Sequence, residues 1–231
     1  MVSAFGYGAG ECLCTGRCRG SLSVARHVLP ARRQAGTWSG SQGVTLVETA
    51  DALYDAATGL IEAATFGDIL MVEEFLDGDE MTVTVMPPAS PRPDGSRSAT
   101  HWALRPVYRF DQRGGVAPYN GDVPVTANSI AIDRERLSDP AIAAMIDACV
   151  TAAALVDARA TIRIDCRADG DGLFKLFDLN MKPNMTGPGR PKRDDQDCLS
   201  AISARADGWS YSDLCKRYLL HDGTGRHRPL I

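Results

Sequence analysis

The sequence predicts an α+β fold, and three observations carry that prediction. Several short stretches alternate apolar and polar residues at every second position, the period of a β-strand; Thr161 to Arg167 is the clearest. Two acidic-glycine runs turn the chain between strands: Leu76-Asp77-Gly78-Asp79, and Ala168-Asp169-Gly170-Asp171-Gly172, which closes an antiparallel β-hairpin. Between these turns lie stretches with helical stripes, one announced by Ser138-Asp139-Pro140, where Asp139 caps and Pro140 occupies the first turn.

In chain order, residues 1 to 35 form a Gly- and Arg-rich lead-in without periodicity, expected to be irregular or disordered. Cys12, Cys14 and Cys18 lack a fourth ligand and a C-x-x-C pair for a zinc site. Gly36 to Gly43 is a small-residue loop, followed by a short strand from Val44 to Glu48. Thr49 or Asp51 caps a helix reaching to about Ala64, with Leu53, Ala57, Leu60, Ile61 and Ala64 on one face. Ile69 to Phe75 and Glu80 to Met86 are strands on either side of the 76–79 turn. Pro87 to Ser98 is a Pro/Ser/Gly-rich exposed loop, and Trp102 to Phe110 is again extended. The helix opened by Asp139 runs to about Ala158 on a stripe of Ile142, Met145, Ile146, Cys149, Val150, Ala153 and Val156. Leu199, Ile202 and Ala206 mark another helix, and Ser210-x-x-Asp213 is a capping box opening the last. The tail from 221 to 231 is polar.

The strand of Thr161 to Arg167 and its return, Leu173 to Leu179, hold the densest polar chemistry. Asp165 shares a face with Arg163, and Asp178 with Asn180, so antiparallel pairing brings four polar tips together. Leu173 to Leu179 is mostly apolar, as expected of a strand covered on both faces. Asp165, Asp178 and Asn180 are three hard oxygen donors that suit magnesium; the alternative is a surface hairpin with solvated acids. From the pattern alone, Glu73, Glu74 and Glu80 are exposed strand charges.

Composition narrows the function classes. At 231 residues, 44% hydrophobic and 23% charged, the chain has an ordinary globular composition. A net charge of −4 provides no general field for nucleic acid or an anionic membrane. No apolar run approaches the roughly 20 residues that span a bilayer, and the N-terminus lacks the order of a secretory signal. Seven cysteines, an odd number, point to reduced thiols and a cytoplasmic setting rather than a disulfide framework. His27, His101, His221 and His227 are scattered, with no nucleophile–histidine pair.

The run Arg163-x-Asp165, a turn, then Asp178-x-Asn180-x-x-Pro183-x-Met185-Thr186 resembles the metal-binding end of ATP-grasp ligases, nearest to the D-alanine–D-alanine ligase type. Met71 to Val83 is similar to the strand, hinge and strand against which those enzymes hold adenine and ribose. Ser39 to Val44 resembles their glycine-rich phosphate loop. The three matches occur in the family's order and cover roughly residues 36 to 219. The resemblance implies an ATP-grasp fold, with residues 36–86 completing a small subdomain and 87–220 forming the C-terminal one. It implies a ligase that activates a carboxylate as an acyl phosphate for attack by an amine, both substrates unknown, with a homodimer possible. It assigns Asp165, Asp178 and Asn180 to one or two Mg2+ ions (Mn2+ being an alternative), and Arg163 to the transferring phosphoryl group or oxyanion. ATP would be held by Ser41, Gln42, Gly43, Glu73, Glu74, Phe75, Leu76, Glu80, Arg109 and Phe177, with Glu80 on the ribose.

The chain departs from that family in several places. No lysine precedes Lys175, so Arg32 or Arg33, and Arg109 further on, are the cations offered to phosphate. Asp178 stands where the D-alanine ligases have glutamate, Asn184 where they have an oxyanion-site glycine, and Gly189-Arg190 where they bind the second D-alanine. The N-terminal domain of the family does not fit into the lead-in, and weak or no ATP binding by this chain follows as an expectation. Two readings stand at this point: a ligase, and a nucleotide-binding or inactive remnant used for protein interaction.

Overall fold

The computed structural model describes residues 26–30, 44–65, 70–111, 123–189 and 195–220. Among the described residues, nine strands fall into two antiparallel sheets. β1 (Arg26–Pro30), β2 (Thr45–Val47) and β3 (Leu70–Glu74) form the smaller sheet in the order β2-β1-β3. The larger sheet contains β4 (Glu80–Met86), β5 (Trp102–Ala103), β6 (Val107–Arg109), β7 (Ser129–Ala131), β8 (Ile162–Ala168) and β9 (Phe174–Asn180). Its order is β7-β6-β4-β8-β9, with β5 pairing beside β6 on β4. The α+β class and the β8–β9 hairpin stand as the sequence predicts.

The helices start where their capping residues say. α1 (Ala50–Glu62) begins at Thr49, whose Oγ1 accepts from Ala52 N at 3.1 Å. α2 (Pro140–Leu155) begins at Asp139, which accepts from Ala141 N at 2.9 Å. α3 spans Leu199–Ala206. α4 (Tyr211–Leu220) opens on a reciprocal box: Ser210 N and Oγ donate to Asp213 Oδ2, and Asp213 N donates to Ser210 Oγ.

Alternation on β4 explains the layering. Met81, Val83 and Val85 join Ile162, Ile164 and Cys166 of β8 against Ile142, Met145, Cys149 and Ala153 of α2, a fully apolar core. The intervening Glu80, Thr82 and Thr84 face the other way and are nonetheless buried. At one end that second face is closed by α3 and α4, where Met86, Trp102 and Leu104 pack with Ala201, Ala204, Trp209 and Leu214. Thr84 Oγ1 donates to Ser200 Oγ of α3 at 3.0 Å.

Five expectations need correction. The irregular lead-in contains β1, the central strand of the small sheet, which is paired on both sides. β4 pairs within the large sheet and not with β3, so 75–79 connects two sheets and is not a hairpin turn. The extended run 102–110 breaks at Leu104–Pro106, because proline cannot donate to a ladder. Val156 caps α2 and is exposed instead of extending its buried stripe. β9 is an edge strand, with Leu173 just before it 55% exposed and Phe177 50% exposed, so it is not covered on both faces.

Cys149 and Cys166 are completely buried, free, and 3.4 Å apart between their Sγ atoms. The contact with Cys149, together with burial, pushes the Cys166 thiol far above its ordinary range. Both thiols are therefore expected to resist iodoacetamide in the native protein and react on unfolding. Mass spectrometry after brief alkylation checks this; rapid native labelling of either would contradict the packing.

Candidate functional site

β8 runs between β4 and β9, and cross-strand partners project to the same face. Thr84, Arg163 and Asn180 form one row across the three strands; Thr82, Asp165 and Asp178 form the next. The hairpin thus places Asp165 directly opposite Asp178, with Arg163 and Asn180 beside them. Arg163 and Asp165 are each 3% exposed. The Arg163 fork donates to both carboxylate oxygens, Nε to Oδ1 at 3.2 Å and Nη2 to Oδ2 at 3.1 Å. Thr82 Oγ1 donates to Asp165 Oδ1 at 2.7 Å. Asp178 is exposed, Asn180 is half-buried, and Asn180 Oδ1 accepts from Lys182 N at 3.2 Å.

A β-bulge sets this register. Pairing steps from Asp165–Asp178 to Cys166–Leu176, leaving Phe177 as the extra residue of β9. Without it, Phe174 and Leu176 would turn away from the core, since a one-residue slip exchanges the faces. With it, Phe174, Leu176 and Leu179 all pack against the α2 core while Asp178 still opposes Asp165. Phe177 remains half-exposed next to Asp178.

A third row on the same face is charged: Arg109, Glu80, Arg167 and Lys175. Glu80 is 4% exposed and is not a surface strand charge. Arg109 Nη1 lies 2.9 Å from its carboxylate and Arg167 Nη1 3.6 Å from it. Arg167 also donates to Gly78 O at 3.3 Å and covers the Phe75 ring at 4.9 Å. Arg109 Nε is buried without a hydrogen-bond partner. These contacts fasten the 75–79 connection to β8, together with backbone bonds from Gly78 N to Ala168 O and from Ala168 N to Asp79 O. Gly78 is required there, because a Cβ would meet Ala168 Cβ and O at 2.7 Å.

The candidate residues are thus distributed as follows. Arg163, Asp165, Asp178 and Asn180 come together, with Phe177 adjoining. Glu80 and Arg109 bind each other, so Arg109 stands at a carboxylate. Phe75 and Leu76 lie in the connection after β3, with the Phe75 ring under the Arg167 guanidinium. Glu74 is exposed; Glu73 is half-buried, and burial raises its carboxyl above the usual range. Ser41, Gln42 and Gly43 lie outside the described residues, as do Arg32, Arg33 and Arg190. Sequence reasoning missed Thr82 and Arg167, although both share the period-2 face of the candidate acids on their strands. A cavity of about 470 Å³ lies instead around the turn end of β8, lined in part by Asp77, Asp79, Arg136, Asp139 and Asp169; it contains none of the four.

The donor set fits a small hard cation. Two carboxylates and an amide oxygen come from two paired strands, and Asp178 is open to solvent. Among the described residues no group of three or more His, Cys, Asp or Glu could hold a metal, so the two acids rely on Asn180. No described helix is long and apolar enough to cross a membrane.

Beyond β9, the chain is held by Tyr211, whose hydroxyl donates to Met185 O. Gly187 has φ +59°, and a Cβ there would collide with the Tyr211 ring. Gly187→Ala is expected to cost about 1–3 kcal/mol through strain and displacement of that ring, measured by urea unfolding. An unchanged midpoint would contradict this packing.

A family model described as the D-ala D-ala ligase C-terminus matches residues 28–220. A D-alanine--D-alanine ligase of Actinobacillus succinogenes is 29% identical over 196 residues, covering 85% of this chain and 55% of that protein. One from Bordetella petrii is 29% identical over 175 residues, covering 76% and 48%. The solved D-alanine--D-alanine ligase of Bacillus anthracis, complexed with ATP, superposes with a TM-score of 0.55 at 17% identity, covering 85% of this chain and 50% of that one. A D-Ala:D-Ser ligase from Enterococcus faecalis gives 0.54 at 19%, covering 86% and 50%. At such identities the structural likeness shows the ATP-grasp fold alone. The chain spans about half the length of the curated relatives it matches.

Proposed function

The chain belongs to the D-ala D-ala ligase C-terminal family, and from that premise we propose that it supplies the phosphoryl-transfer half of an ATP-dependent carboxylate–amine ligase. The observation that carries this is the block of Arg163, Asp165, Asp178 and Asn180 on facing positions of β8 and β9. In such a reaction a substrate carboxylate oxygen bonds to the γ-phosphorus of ATP and ADP leaves. The amine nitrogen then bonds to the acyl carbon and gives up a proton, and phosphate leaves with the electrons of the C–O bond that joined it to the acyl carbon.

Asp165, Asp178 and Asn180 would hold magnesium, which when bound neutralises phosphate charge and orients the transferring group. Arg163 presents fixed donors beside those acids, and its planar fork suits phosphoryl oxygens or an oxyanion. Asp165 keeps that guanidinium in place at 3.1–3.2 Å. Phe177 offers an exposed ring, and Phe75 and Leu76 line the connection, where the nucleotide base would lie. Residues up to 74 and from 80 onward would then form the two walls around ATP.

The relatives are named for D-alanine, so D-alanine alone and paired with other amino acids is the first substrate panel. ADP release dependent on both an amino acid and Mg2+, accompanied by a dipeptide mass, is the expected result. Absence of amino-acid-dependent ADP release across the panel would overturn the proposal. One observation favours a non-catalytic reading: Glu80, the ribose candidate, is enclosed between Arg109 and Arg167. Mg2+-dependent ATP binding without turnover would mark a nucleotide-binding remnant; neither binding nor turnover would mark an inactive one.

A further inference from the structure

We infer that Thr82 is a positioning residue, which decides which oxygen of Asp165 is presented to a metal ion; this rests on the metal-site proposal above. A carboxylate oxygen has two in-plane lone-pair directions. Oδ1 of Asp165 receives two donors, Thr82 Oγ1 at 2.7 Å and Arg163 Nε at 3.2 Å. Oδ2 receives one, Arg163 Nη2 at 3.1 Å. Oδ1 is therefore saturated, and Oδ2 retains the direction able to take a cation.

Register makes this arrangement a property of the sheet. Thr82 is the direct cross-strand partner of Asp165 on β4, and Asp178 is its partner on β9. The hydroxyl thus acts from the flank opposite Asp178. It is buried, as is the carboxylate, so no water substitutes readily for the bond. Arg163 meets both oxygens from two residues away on the same strand. Thr82 adds a donor from a separate strand, on one oxygen only. Thr84, one row along on the same face, donates to Ser200 and provides an internal comparison.

The test is Mn2+ binding to the full chain, titrated by electron paramagnetic resonance with the metal alone. Thr82→Val is nearly isosteric and is expected to weaken Mn2+ binding by roughly tenfold or more, the scale seen when residues supporting metal ligands are lost. Thr82→Ser restores the hydroxyl and should bind as the unaltered chain does. Thr84→Val removes a buried hydroxyl of the same face and should leave Mn2+ binding unchanged. Asp178→Asn, an exposed position, reports on the site itself. Loss in Thr82→Val with rescue in Thr82→Ser supports the inference. Equal loss in Thr84→Val, or retained binding in Thr82→Val while Asp178→Asn loses it, overturns the role of Thr82 alone. Absent Mn2+ binding in the unaltered chain, or binding indifferent to Asp178→Asn, overturns the metal site and this inference with it.

Discussion

Asp178→Asn is expected to lower ATP-dependent ligation by on the order of a hundredfold or more, the scale of a lost transition-state charge contact. The substitution preserves shape on an exposed strand position, so the fold has little reason to change. What it removes is one of two carboxylates placed face to face by the β8–β9 register. Asp171, at the far turn, is the comparison, because it adds acidity to the same hairpin without facing Asp165. Its replacement by asparagine should leave turnover close to that of the unaltered protein. The measurement is coupled ADP release, made on this chain or on any longer protein that carries it. Unchanged turnover in Asp178→Asn would remove the chemical role assigned to the hairpin.

Glu80→Leu is expected to destabilise the fold by about 3–5 kcal/mol, the cost of breaking a buried ion pair from one side. Glu80 is a common counter-charge, with Arg109 Nη1 at 2.9 Å and Arg167 Nη1 at 3.6 Å. Leucine keeps most of the volume and leaves two guanidiniums in a buried row without that carboxylate. Replacing all three, Glu80→Leu with Arg109→Met and Arg167→Leu, should recover most of the loss, because desolvation of the charges is then avoided. Urea unfolding followed by circular dichroism reports both. A loss below about 1 kcal/mol in the single variant would place the pair in the range of an exposed ion pair.

How much of this was legible in the sequence varies with the range of the interaction. Caps were legible because they are local: Thr49, Asp139 and Ser210–Asp213 bond within three residues. The shared face of Asp178 and Asn180 followed from strand period, and the return of β9 beside β8 from the turn, both short-range quantities; the direct facing of Asp165 and Asp178 depends on the bulge. The bulge at Phe177 was not legible, since the sequence FKLFDLN alternates acceptably from either end and only packing against α2 decides between them. β1 was missed for a related reason: a five-residue strand gives a weak signal, and its position depends on two partners 15 or more residues away. The burial of Glu80 was hidden because its arginine partners lie 29 and 87 positions further along.

The place of β9 at the sheet edge has a consequence for how the protein fails under stress. A strand bonded on one side opens with less free energy than one bonded on two, so its amides should exchange with solvent before those of β4 and β8. Asp178 and Asn180 leave with it, while the apolar layer between β4, β8 and α2 stays intact. Chemical denaturant should therefore separate loss of metal affinity from loss of structure. The cation would be released at a concentration where the tryptophans of the second core, Trp102 and Trp209, still report a folded protein.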